Sequence, residues 1–206
     1  MRDIVGNIKA LYNRGGMFLK LLYVNVAIYV VLNIFIGGLF QLDIINWFSF
    51  DSNLLSNINK PWSLFTYMFI HGGTRHILFN MLVLFFVGSM FEHYFGRKKV
   101  LSTYIIGGLA GALLFIITQN IFPLLINSGP STLLGASASV MAIFVGLAAY
   151  KPNMEVAVFG VFNVKLYILA LLYVGLDLLS VGNLDGVAHF AHLGGAAWGY
   201  YMGSQL

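Results

Sequence analysis

Residues 187–203 read Val187-Ala188-His189-Phe190-Ala191-His192-Leu193-Gly194-Gly195-Ala196-Ala197-Trp198-Gly199-Tyr200-Tyr201-Met202-Gly203. Two histidines stand in an otherwise apolar run, and Gly195, Gly199 and Gly203 recur every four residues. That small-residue spacing lets helix backbones approach closely in a membrane. A matching stripe, Ala138, Ala142 and Gly146, lies in the stretch 135–150. Packing one stripe on the other predicts that the histidine turn meets Ser137, which stands in Leu134-Gly135-Ala136-Ser137-Ala138-Ser139.

The surroundings say what solvent these helices face. The 206 residues are 59% hydrophobic and 9% charged, with mean hydropathy +0.85. Soluble domains are roughly 45–50% apolar and about 25% charged, so this chain has too few charges to cover a water-facing surface. A soluble enzyme and a disordered chain are both excluded. The absence of cysteine removes disulfides, thiolate metal sites and cysteine nucleophiles. At about 20 residues per crossing, six spans are expected at 18–40, 76–95, 100–121, 135–150, 164–179 and 187–202. The expected class is an all-α polytopic membrane protein of six transmembrane helices over 18–206. An amphipathic cytoplasmic arm over 1–17 precedes it, carrying Arg2, Lys9 and Arg14. The segment from Gln41 to Arg75, with Trp47, Phe48, Phe50, Trp62, Phe65 and Phe69, reads as short helices partly sunk in the interface.

Lysine and arginine set the orientation. Arg2, Lys9, Arg14, Lys20, Arg97, Lys98, Lys99, Lys151 and Lys165 fall on one side and Lys60 and Arg75 on the other. The richer side is cytoplasmic, so both termini are expected there. The basic residues alternate loop by loop instead of forming one patch, which points to lipid and excludes nucleic acid as a partner.

Polar groups inside spans are costly and usually functional. His76 and Asn80, spaced i, i+4, share one face of span 2. Span 4, at 16 residues, reaches about 24 Å, short of the roughly 30 Å hydrocarbon core, and the stretch from Pro123 to Pro130 before it breaks helix. Ser137 therefore falls in a first helical turn, beside free N–H groups and the positive dipole end. Spans 2, 4 and 6 start on the same side, so Asn80, Ser137 and His192 share one layer. His192 lies at the centre of the small face of span 6 and His189 at its edge. His71, just before span 2, reads as structural. Glu92 is near the cytoplasmic end of span 2, and Asp177, on span 5, reads as away from the histidine turn. Serine plus histidine without a carboxylate means a nucleophile with a general base, a dyad, with His76 and Asn80 able to aim donors at an oxyanion.

These residues resemble the rhomboid family of intramembrane serine proteases. The resemblance rests on Gly135-Ala136-Ser137, on His76 with Asn80, and on Ala191-His192-Leu193-Gly194-Gly195 with Gly199. It implies a nucleophile at Ser137, a base at His192, and oxyanion donors at Asn80, His76 and the Ser137 N–H. It also implies a loop over 41–75 inserted sideways in the bilayer, span 5 as a lateral gate, and no cofactor. The family's glycine after the serine is Ala138 here, its aromatic one turn on is Met141, and a histidine sometimes found four residues before His71 is Tyr67.

The expected activity is hydrolysis of peptide bonds in or near transmembrane segments of other membrane proteins, in a bacterial inner membrane, with the site open to the external side. One rival is a non-catalytic relative that binds membrane proteins. Another is a transporter or metal-dependent enzyme using His71, His76, His189 and His192, which lacks the carboxylate cluster such chemistry favours.

Overall fold

The computed structural model describes residues 15–40, 44–121, 131–158, 160–180 and 186–206. The arm expected over 1–17 and the helix-breaking stretch 123–130 lie almost entirely outside the described residues.

Helix α1 (Met17–Tyr29) runs on into a π-wound segment, Val30–Leu39. Its first turn is held by an acid from elsewhere: the Phe18 N–H donates to Glu92 Oε2 at 3.1 Å, and Arg97 Nε lies 3.5 Å from Glu92 Oε1. A carboxylate at a helix N-terminus satisfies an orphan donor and complements the dipole, which gives Glu92 a structural role.

The segment that follows is built of short pieces: α2 (Ile45–Phe48), β1 (Phe50–Asp51), α3 (Leu54–Asn59), α4 (Ser63–Thr66) and a 3₁₀ turn, Tyr67–Phe69. Asn53 caps α3 by accepting from the Leu55 N–H at 2.9 Å. Trp62 Nε1 donates to the Trp47 carbonyl at 2.9 Å, with the two indoles 5.1 Å apart.

Helix α5 (Thr74–Ile121) is 48 residues long and breaks its helical path at Gly96, whose φ of 76° a side chain would resist. The chain reverses there. In the first arm His76 meets Gly135 and Phe91 meets Gly146, whereas in the second Gly107 meets Ala142 and Gly111 meets Ala138. The arms therefore run antiparallel, the first alongside α6 (Ser137–Tyr150) and the second against it. Strand β2 (Thr132–Leu133), just before α6, pairs antiparallel with β1, Phe50 opposite Leu133. After α6 come the hairpin strands β3 (Glu155–Val158) and β4 (Phe162–Lys165), then α7 (Leu166–Ser180) and α8 (Gly186–Ser204). The expected fifth span begins two residues early at 164, because Val164 and Lys165 pair with Val156 and Glu155.

Helix α6 is the centre of the molecule. Every residue from Ala138 to Ala148 is buried, as expected of a helix apolar on all sides. The two small-residue stripes meet one to one. A Cβ at Gly195 would stand 2.1 Å from the Ala138 carbonyl oxygen, at Gly199 2.3 Å from that of Ala142, and at Gly203 2.1 Å from that of Gly146. Only glycine permits this approach, so α8 lies parallel to α6 in a fixed register. The second arm of α5 uses the same device, with Gly107 on Ala142 and Gly111 on Ala138. Among the described residues, the α1 region (Met17–Leu39) and α5 are long and apolar enough to cross a membrane, while α6 and 166–179 are shorter apolar helices.

Candidate active site

Ser137 is the first residue of α6. The loop before it is fixed by the Gly135 N–H, which donates to the Tyr67 carbonyl at 2.9 Å. Gly135 itself has φ 117°, and a Cβ there would fall 2.6 Å from His76 Nε2 and 3.7 Å from Ser137 Oγ. Glycine is thus required for both conformation and space, and it lets the His76 ring and the serine hydroxyl face one point. The first intrahelical bond runs from the Val140 N–H to the Ala136 carbonyl, leaving the N–H groups of the opening turn without helical partners.

Ser137 Oγ lies 2.6 Å from His192 Nε2. The register of α8 on α6 produces this contact: Gly195, one turn beyond His192, sits on Ala138. The other ring nitrogen, His192 Nδ1, is 3.0 Å from Asp177 Oδ1, and the same oxygen is 2.5 Å from His189 Nδ1. Here the sequence reading is corrected, because Asp177 is not away from the histidine turn. It lies three residues before the end of α7, and His189 three residues after the start of α8. At 1.5 Å per residue both stand about 4.5 Å inside the facing ends of neighbouring antiparallel helices, and so at one depth. Asp177 and His189 lie equally far inside the facing ends of two apolar runs, and that was the signal available in the sequence.

Asp177 is buried, and its second oxygen, Oδ2, has no hydrogen-bond partner among the described residues. Asn80 is also buried; its amide donates to the His76 carbonyl at 2.9 Å, which holds the side chain one turn back on its own helix. Met141 is fully buried in the core.

His71 is wholly buried in the segment before α5, its ring edge-on to His76 with centroids 5.1 Å apart. Asn33 Nδ2 donates to its backbone carbonyl at 2.9 Å. Among the described residues neither ring nitrogen has a partner of good hydrogen-bond geometry. Burial, and then the neighbouring His76, lower its pKa from 6.5 to about 4, against a small opposing pull from the Phe69 backbone. His71 is therefore a neutral packing residue, as its position suggested. Among the described residues, the histidine–carboxylate cluster whose ligand atoms lie close enough for a metal ion is Asp177, His189 and His192, all within 4.8 Å of one another.

A glycine-registered helical core that delivers a serine onto a histidine defines a class of protein by its site. The Rhomboid domain matches residues 59–206, and the chain belongs to the rhomboid family. It is similar to RHOMBOID-like protein 4 of Arabidopsis thaliana, 32% identical over 148 residues that cover 72% of this chain and 34% of that protein. It is also similar to Rhomboid protease AarA of Providencia stuartii, 28% identical over 208 residues covering 93% of this chain and 73% of that one. Inactive RHOMBOID-like protein 8 of Arabidopsis is 27% identical over 143 residues, 68% of this chain and 37% of the relative. The matches span about a third of the length of the Arabidopsis relatives named first.

Proposed function

We propose that the chain is an intramembrane serine endopeptidase that cuts peptide bonds in or near transmembrane segments of other membrane proteins. The observation that carries this reading is the 2.6 Å contact between Ser137 Oγ and His192 Nε2, within the 2.6–3.2 Å reach a general base needs. In this mechanism Asp177 accepts the Nδ1–H of His192, which leaves the Nε2 lone pair aimed at the serine. The Ser137 hydroxyl proton passes to Nε2 as Oγ attacks the scissile carbonyl, and His192 returns that proton to the leaving amine. The unit is then a Ser–His–Asp arrangement, in place of the dyad expected from sequence. The Ser137 N–H, His76 and Asn80 are the donors assigned to the developing oxyanion; Asn80 must turn its amide from the His76 carbonyl to serve.

The same reading takes the α1 region, the two arms of α5, and α6, α7 and α8 as six crossings with both termini cytoplasmic and the serine layer toward the external side. The cell (inner) membrane of a bacterium is its proposed location. The segment 41–75 lies in the outer interface, and α7 is the gate through which a substrate helix enters. One relative bears the name inactive, so the rival reading is a binding protein without catalysis. Labelling of detergent-solubilised protein by a fluorophosphonate probe, lost in Ser137→Ala, is the expected result. No labelling of the wild type would favour the rival.

A further inference from the structure

We propose that Asp177, His189 and His192 form a zinc site that switches the base off. The inference rests on the assignment of His192 as base for its consequence, though not for the site itself. One ligand atom from each of Asp177, His189 and His192 lies within 4.8 Å of the others, and Asp177 Oδ1 stands 2.5 Å from His189 Nδ1 and 3.0 Å from His192 Nδ1. Ligand atoms about 2.0–2.2 Å from a tetrahedral zinc stand roughly 3.3 Å apart, so the ion enters as the carboxylate shifts outward and the two rings close to that spacing. Nitrogen and carboxylate donors of this kind suit zinc. A second observation points to a cation: among the described residues Asp177 Oδ2 is buried without a hydrogen-bond donor, on a side chain only 5% exposed. A buried carboxylate oxygen left unpaired is costly, and a bound divalent ion removes that cost. His189, 22% exposed, gives the ion its way in, and water takes the fourth position.

The consequence follows from the tautomer. Without metal, His192 carries its proton on Nδ1, facing Asp177, and its Nε2 lone pair faces Ser137. Zinc at Nδ1 needs the other neutral tautomer, in which the ring proton resides on Nε2 and the lone pair freed on Nδ1 binds the ion. Nε2–H then points at Ser137 Oγ as a donor and cannot accept the serine proton. No proton is gained or lost by the ring. The serine and histidine stay in place, yet the nucleophile is not activated.

The test uses the full chain in detergent, with zinc or cobalt(II) chloride as the probe. Equilibrium dialysis of Ser137→Ala is expected to give one zinc per chain, and adding His189→Ala is expected to weaken binding at least tenfold. Cobalt(II) on Ser137→Ala is expected to give the intense visible absorption of a four-coordinate site. In the wild type, saturating zinc is expected to cut fluorophosphonate labelling more than tenfold, with recovery on adding a chelator. Zinc bound equally well without His189 overturns the site, as does six-coordinate cobalt; the cobalt measurement stands even where the double variant fails to fold. Labelling indifferent to bound zinc overturns the switch. A wild type that never labels overturns the protease reading instead, and the dialysis still decides the site.

Discussion

Gly195 stands so close to Ala138 that a Cβ would fall 2.1 Å from the Ala138 carbonyl oxygen. Neither residue has a reacting atom, yet each neighbours the site: Ala138 follows Ser137, and Gly195 lies one turn beyond His192. The obstacle is backbone, which cannot swing aside as a side chain would. Gly195→Ala should therefore push α8 from α6, at about 1–3 kcal/mol for overpacking, and lengthen the Ser137–His192 contact. We expect a lower thermal midpoint and at least a tenfold fall in labelling rate. An unchanged rate would mean that the register is set elsewhere.

Asn80→Ala should reduce turnover more than it raises KM, because an oxyanion donor acts in the transition state. A loss of roughly 10- to 1000-fold in kcat is expected, limited by the remaining donors. A change confined to KM would assign Asn80 to packing through its bond to the His76 carbonyl.

The two histidines of α8 should separate cleanly. His192→Ala removes the group in contact with Ser137 and should abolish cleavage. His189→Ala should leave reduced but measurable activity, because His189 touches the carboxylate and not the serine. The reverse result in a folded pair of variants would reassign the base.

Asp177→Asn keeps the shape of the side chain and removes its charge. The amide can present its N–H₂ to the ring and hold the wrong tautomer, so kcat should fall by roughly 10- to 1000-fold, short of the about 10⁴-fold that the equivalent change costs in a soluble triad enzyme. Wild-type kcat in the folded variant would return the mechanism to a Ser–His dyad.

His71 predicts an acid limit on stability. Its folded pKa, about 4, lies below the ordinary 6.5, so the unfolded chain binds the extra proton first as pH falls. The contribution is complete above about pH 6.5 and declines toward pH 4, by about 2 kcal/mol between pH 7 and pH 5 at 1.36 kcal/mol per unit. His71→Phe keeps a ring against His76 and should flatten that part of the melting profile. Identical profiles for the two proteins would show that other groups set the limit.

What the sequence made legible was whatever follows from periodicity. Glycine every fourth residue on 195–203 gave the partner stripe and its register, and the short reach of 135–150 put Ser137 at a helix start. Three features escaped that logic. The π-wound stretch 30–39 has the same apolar composition as an α-helix and no period to betray it. The β3–β4 hairpin depends on pairing between residues that composition assigns to a loop and a span. Asp177 escapes because periodicity assigns each residue to its own span, whereas its partner is chosen by the depth that α7 and α8 share.

The candidate site draws on four helices in chain order, with His76 and Asn80 on α5, Ser137 on α6, Asp177 on α7 and His192 on α8. The residue proposed as proton acceptor therefore comes last. While the chain is being made, a ribosome that has delivered α6 but not α8 has placed in the membrane a serine with no imidazole in reach. On the proposed protease reading, the growing polypeptide cannot attack its neighbours in the insertion machinery, and cleavage becomes possible only when the glycine face of α8 seats on α6. The close packing that fixes the distance between serine and histidine would thus also time the moment at which the proposed protease becomes dangerous.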